Sequence, residues 1–170
     1  CALPISEGYP AMGYSICYEY GIFKQKIENG WQTELPDNWL PGGEVWLVPK
    51  NDRAIEIHFD GELNEYWDNQ YHHIEHKNYS TVMAVPYDMY VSGYDTEGVS
   101  VLRLWQAKCP SFDMAMFNQG DYAKALGQNN VAQAISKVLY PNDNHLEGKS
   151  LRLRQQYFLC SASIGDIVNH

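Results

Sequence analysis

Hydrophobic and polar residues alternate through much of the first two-thirds of the chain and take up helical spacing only towards its end. The clearest strand signal runs from Ala54 to Phe59, where Ile55, Ile57 and Phe59 oppose Glu56 and His58. Side chains on a strand point to opposite faces with period two, so this segment reads as a half-buried strand. Earlier, Ile16, Tyr18 and Tyr20 alternate with Cys17 and Glu19; Gly21 interrupts, and Ile22 to Ile27 resumes as a second short strand. Glu28-Asn29-Gly30 is a turn, because Asn-Gly readily supplies positive φ, and Trp31 to Glu34 is the returning strand of a hairpin. Leu35 to Gly43 carries two prolines and two glycines and is an irregular connection. Glu44 to Pro49 reads as a short strand around Val45, Leu47 and Val48.

Further along, Asp60-Gly61 ends the strand at Phe59, and Leu63 to Trp67 is expected to pair back on it. Tyr71 to Val85 is extended, with Thr81 to Val85 buried, until Pro86-Tyr87-Asp88 stops it. After a turn at Asp95 to Gly98, Val99 to Ala107 sets Val99, Val101 and Leu104 against Arg103 and Trp105. Short connections make the strands antiparallel. Gly120 to Tyr140 has helical spacing at Tyr122, Ala125, Leu126, Val131, Ile135, Val138 and Leu139, and Pro141 ends it. Asn142-Asp143-Asn144 is a loop. A second helix begins near Lys149, with Leu153, Tyr157, Cys160, Ile164 and Ile167 on one face. Arg152 and Arg154 fall in its first turns, where the helix dipole disfavours cations unless they are solvated or meet an anionic neighbour. The pattern is that of an α+β chain: an antiparallel β-rich body followed by two C-terminal helices.

Composition narrows the function more than the fold. The 170 residues suit one domain or part of a larger one, and with 45% hydrophobic and 14% aromatic residues they can bury a core. A formal net charge of −9 argues against nucleic acid or an anionic membrane as the main partner. Cys1, Cys17, Cys109 and Cys160 are widely spaced and form no CxxC pair, which indicates neither a zinc site nor a disulfide scaffold and fits a reducing, cytoplasmic setting. The chain opens on Cys1 and stops at Ile167-Val168-Asn169-His170 inside helical spacing, so an excised piece is expected.

The candidate chemistry is thin. In His72-His73-Ile74-Glu75-His76 the first and last histidines share a strand face, but they lie roughly 13 Å apart by the usual rise, too far for one metal ion. Glu62, Glu65 and Asp68 could supply a carboxylate pair, yet they flank a turn and read as a solvated surface. No GxSxG, HExxH, GxGxxG or phosphate loop is present.

Four segments, in order, closely resemble the α-glucan (glycogen/starch) phosphorylases. They are GYSICYEYGIFKQKIENGWQTELPDNWL from Gly13 to Leu40, VMAVPYDMYVSGY from Val82 to Tyr94, VLRLWQAKCPSFD from Val101 to Asp113, and ISKVLYPNDNHLEGKSLRLRQQYF from Ile135 to Phe158. The resemblance implies an excised part of the α/β N-terminal lobe of a glycosyltransferase-B-type phosphorylase. Residues 1–118 would be its β-rich part, 119–141 a projecting helix for subunit contact, 142–148 a gate loop over the catalytic cleft, and 149–170 the start of the following helix. The implied partners are α-1,4-glucan and inorganic phosphate, with glucose 1-phosphate released, and a second subunit met through helix 119–141, with Val131 and Ile135 free to contact it.

The resemblance also implies pyridoxal phosphate, bound by a lobe absent from these residues, so that no catalytic, cofactor or metal residue falls within the chain and the chain alone is inactive. Asn144 and Asp143 match the gate-loop amide and acid that bind and position the glucosyl unit; an amide suits sugar hydroxyls because it both donates and accepts. Three departures stand out. Cys17 replaces a usual arginine, Cys1 to Tyr9 fits poorly, and Asp166 to His170 lacks the arginine pair that grips nucleotide and phosphoserine in animal enzymes, which puts such regulation in doubt. The alternative from another class is a free-standing β-rich carbohydrate-binding module with Tyr and Trp stacking platforms.

Overall fold

The computed structural model describes residues 2–40, 45–110, 118–119, 127, 130–139 and 141–169. Among the described residues a short helix α1 (Ala2–Ser6) leads into nine strands: β1 (Met12–Ile16), β2 (Lys24–Glu28), β3 (Trp31–Leu35), β4 (Val48–Pro49), β5 (Ile55–Phe59), β6 (Glu62–Asp68), β7 (Tyr71–Lys77), β8 (Ser80–Ser92) and β9 (Val99–Lys108). A 23-residue helix α2 (Leu146–Val168) follows. The architecture is α+β, as its periodicities predict.

The spine is β8, whose 13 residues pair antiparallel with β9 on one side and with β4 and β5 on the other. The expectation that Pro86-Tyr87-Asp88 stops this strand is wrong; it runs through to Ser92. Residue N–H and C=O groups on a strand point the same way. The Pro86 carbonyl accepts from the Lys50 N–H (2.9 Å), so its ring nitrogen faces the side where a single 3₁₀ turn at Asn51–Arg53 separates β4 from β5 and no ladder donor is required. β1 corrects a second expectation. It lies parallel to β9, from Met12↔Val101 to Ile16↔Trp105, and it starts before the Ile16-Tyr18-Tyr20 alternation. Beyond Cys17 the backbone donors of Glu19 and Tyr20 are claimed by the carbonyls of Ser136 and Lys137, which draws the chain off the sheet. The strand foreseen at 44–49 shrinks to Val48–Pro49, with Val45 and Trp46 in a turn.

The β2–β3 hairpin forms as predicted, with Asn29 (φ 53°) and Gly30 (φ 84°) at its tip. Leu63 to Trp67 does not return to β5. Instead β5 continues through Asp60-Gly61 into β6, β6 pairs with β7, and β7 continues through Asn78-Tyr79 into β8. Pairs such as Ile55↔Ala84, Glu62↔Lys77 and Asp68↔Tyr71 all have the same sum of residue numbers, so one uninterrupted register governs the whole hairpin. Asp60, Gly61 and Asn78 have positive φ and kink it; a Cβ at Gly61 would run into the carbonyl oxygen of Lys77. Every β6 residue beyond the kink is exposed, so β6–β7 is an arm standing off the body. Arg154 of α2 grips the kink, with Nη2 donating to both carboxylate oxygens of Asp60 at 2.8 Å; this is the anionic neighbour that its place in the helix calls for.

Two cores flank the sheet. Between the sheet and α2 lie Ile16, Ile57, Phe59, Val82, Ala84, Trp105, Ala107, Ala132, Ile135, Phe158 and Ala162; on the other face lie Cys17, Leu47, Val85, Tyr87 and Leu104. Two helix expectations need correction. Most of Gly120 to Tyr140 lies outside the described residues, and within them the helix ends at residue 134. Ile135 is 1% exposed, so it belongs to the core and cannot meet a partner subunit, whereas Val131 is exposed. On α2 the buried residues are Gln155, Phe158 and Ala162, while Leu153, Tyr157, Cys160, Ile164 and Ile167 are exposed. The helix carries two apolar stripes, and the one that packs on the sheet is the one periodicity did not single out.

Charge pins α2 to the sheet. Arg103 on β9 donates from Nε and Nη2 to the two carboxylate oxygens of Asp88 on β8 (2.7 and 2.8 Å) and from Nη1 to Asp166 on α2 (2.6 Å), and the Tyr14 hydroxyl of β1 donates to the other Asp166 oxygen (2.9 Å). The Asp88 hydrogen bond, against the cost of burial, holds the Arg103 guanidinium above its ordinary range. Burial first, then the hydrogen bond to Asp166, raises the Tyr14 phenol above its ordinary value near 10. A proton held more tightly in the folded chain stabilises it below the unfolded value, and that stabilisation is lost as pH rises through the folded value. Tyr14→Phe is therefore expected to flatten the loss of stability above about pH 10. Urea midpoints at several alkaline pH values check this; an unchanged slope in the variant rules it out.

Candidate functional site

The segment that carries the candidate binding residues is framed by the end of one helical stretch and the start of α2. Residues 130–134 are helical, 135–137 turn, and Val138 makes a parallel bridge to Tyr20. Helix ends leave carbonyls without intrahelical partners. Here Gln155, 5% exposed, reaches back from α2 and donates through Nε2 to the carbonyls of Ile135 (3.1 Å) and Val138 (2.8 Å). Ser136 adds a second anchor, its Oγ accepting from the Ala107 N–H of β9 (3.1 Å). The chain therefore enters the following loop from a fixed point.

The loop is residues 141–145. It is shorter than the 142–148 expected, because Leu146, Glu147 and Gly148 already belong to α2. His145 is the N-cap residue in an extended conformation, and Glu147 suits the positive end of the helix. The Asn144 N–H donates to Asn142 Oδ1 (2.9 Å), the Asx turn expected of such residues. Asp143 Oδ2 lies 3.5 Å from Arg152 Nη1 in an exposed pair. Gly148 lies directly against the loop. A Cβ there would overlap the Asn142 carbonyl and sit 3.2 Å from the Asp143 Cα. Beside the loop, a shallow cleft is lined by Tyr18, Leu139, Arg152, Gln155 and Gln156.

Asp143 and Asn144 are both exposed and adjacent, one an acceptor and one both donor and acceptor. Such a pair can bind and orient hydroxyls.

A family model described as carbohydrate phosphorylase matches residues 5–170. The chain belongs to the carbohydrate phosphorylase family. It is 46% identical over 166 residues to the glycogen phosphorylase of Saccharomyces cerevisiae, 44% over 162 residues to the brain form of Homo sapiens and 44% over 169 residues to the human liver form. These alignments cover 95–96% of this chain but only 18–19% of each relative, so the chain spans about a fifth of the length of the curated phosphorylases it matches.

The other candidates sit on the arm. His72 stacks on Trp67 (4.7 Å between centroids) and pairs with Glu65 (3.3 Å), while His73 stacks on Tyr66 (5.0 Å) on the opposite face, as strand periodicity requires. His76 Nε2 lies 2.6 Å from the Asp60 carbonyl at the kink. Among the described residues no group of three or more His, Cys, Asp or Glu is placed to hold a metal ion. Glu62, Glu65 and Asp68 are strung along exposed β6, and a hydrogen bond from Lys77 lowers the Glu75 carboxyl below its usual range. No described helix is long and apolar enough to cross a membrane.

Gln155, which anchors the chain before the loop, and Gly148, which lies against it, were not singled out by sequence reasoning. A glutamine amid the apolar positions of α2 and a glycine in a helix's first turn were the available signals.

Proposed function

We propose that this chain is part of an α-glucan phosphorylase, from the N-terminal lobe of a glycosyltransferase-B-type enzyme that uses inorganic phosphate to release glucose 1-phosphate from an α-1,4-glucan. Asn144 and Asp143 take the role of substrate-binding residues: the Asn144 amide hydrogen-bonds the glucosyl hydroxyls and the Asp143 carboxylate positions them. The observation that carries this reading is the exposed Asp143-Asn144 pair, on a short loop between the anchored Val138 and α2, within a chain that matches the family from residue 5 to residue 170. The intact enzyme is cytoplasmic and homodimeric through residues 119–141, with Val131 rather than Ile135 offered to the second subunit.

The fold family implies pyridoxal phosphate, whose phosphate serves as a proton relay when bound. Three of the described lysines do not fit it. Lys108 is committed to the Tyr87 hydroxyl (2.9 Å), and Lys24 and Lys77 are exposed on hairpins and paired with Asp37 and Glu75. A Schiff-base lysine needs a desolvated pocket with anion-binding neighbours. We place the cofactor in parts of the parent outside this chain.

Asn144→Ala in the full-length parent is expected to lower kcat/KM for phosphorolysis of maltodextrin by about three- to tenfold, the worth of one or two neutral hydrogen bonds. Glucose 1-phosphate release measures it. Unchanged kcat/KM in Asn144→Ala and Asp143→Ala variants would remove both residues from the site. The 170-residue chain alone is expected to give no turnover.

A further inference from the structure

We propose that Gly148 is a positioning residue for the substrate-binding loop, acting as the seat against which the Asn142–Asp143 backbone rests. The inference rests on the reading of that loop given above. Gly148 lies in the first turn of α2, one turn after the loop it supports. A Cβ at this position would overlap the Asn142 carbonyl oxygen, lie 2.8 Å from its carbon and 3.2 Å from the Asp143 Cα. All three atoms are backbone, so no side-chain rotation relieves the overlap; the loop itself must move. The neighbouring restraints are weaker: the Asx bond acts only within the loop, and the Asp143–Arg152 pair ties the loop to α2 through two exposed side chains. Upstream, Gln155 fixes where the chain leaves Val138. With its entry fixed there and its exit fixed by α2, the five-residue loop takes its place from the space that Gly148 leaves open.

This role predicts the opposite sign from a glycine that is merely a poor helix former. Alanine improves an ordinary helical glycine. At a seat it displaces the loop and leaves the helix intact.

The experiment compares Gly148→Ala with wild type in both the 170-residue chain and the full-length enzyme. In the chain, cleavage by an aspartate-specific endoproteinase before Asp143 is expected to rise about tenfold or more, with unchanged far-ultraviolet circular dichroism. Arg152→Met, which leaves the seat intact and removes only an exposed ion pair, is expected to raise it by no more than about fivefold. In the enzyme, Gly148→Ala is expected to raise KM for glucan while leaving cofactor content and thermal midpoint unaltered. Cleavage and KM equal to wild type, or a stabilised chain with an unmoved loop, overturn the proposal. Asn144→Ala run alongside separates the two readings. If it is impaired and Gly148→Ala is not, the seat fails alone; if Asn144→Ala is also unimpaired, the binding role of the loop fails with it.

Discussion

Arg103→Leu is expected to cost the chain about 3–5 kcal/mol, because it strands a buried carboxylate. Arg103 and Asp88 are 5% and 3% exposed, and both Asp88 oxygens accept from the same guanidinium. Leucine replaces the apolar stem but none of the donors. Asp88 then keeps its desolvation penalty without a compensating charge, and Asp166 on α2 loses its bond to β9. The double variant Arg103→Leu, Asp88→Leu tests the cause. Replacing a buried ion pair by apolar groups of similar volume is often near neutral, so the double variant is expected to recover a large share of the lost stability. Urea unfolding of the three proteins measures this. A double variant at least as unstable as the single one would show that the cost comes from packing and not from charge.

Trp105→Ala is expected to cost a further amount of similar size, about 3–5 kcal/mol, by opening a cavity where three elements meet. Trp105 has no exposed surface. It pairs with Ile16 of β1 and Pro86 of β8, its ring lies parallel to Tyr14 at 6.4 Å, and its Nε1 donates to Ser163 of α2 (3.3 Å). Trp105→Phe refills part of the volume and loses the hydrogen bond, so it is expected to fall between wild type and alanine. Denaturation midpoints of the three give the order; an alanine variant as stable as phenylalanine would mean that the site collapses freely.

The parts of this fold legible in the sequence are those decided within a few residues. The alternation at Ile55, Ile57 and Phe59 and the Asn29-Gly30 turn report local geometry and were read correctly. Features settled by distant partners were not. Pro86 looks like a strand breaker until Lys50 shows which edge it faces. Ile135 looks like part of an exposed stripe until it lies beneath α2. On α2 itself, Leu153, Tyr157 and Ile164 are as regular as Leu151, Phe158 and Ala162, and a helix with two apolar stripes carries no internal mark of which one the sheet takes. The candidate site was least legible of all. Spacing alone makes Asn142-Asp143-Asn144 an ordinary turn; only the flanking resemblance pointed to recognition, and only the fold brings Gly148 against it.

The hairpin from β5 to β8 has a consequence for how this part of the molecule can change over evolution. Its two sides stay in step from the sheet to the Asn69-Gln70 tip, with two residues on each side of the kink. Codons added or lost in matched numbers on both sides of the tip would lengthen or shorten the arm and leave the pairing of Ile57 and Phe59 with Val82 and Ser80 untouched. A single unmatched insertion would instead have to be absorbed as a bulge, or it would turn every side chain beyond it to the other face. The arm is thus a place where length can drift in pairs, or where a foreign hairpin could be grafted, without the buried sheet registering the change.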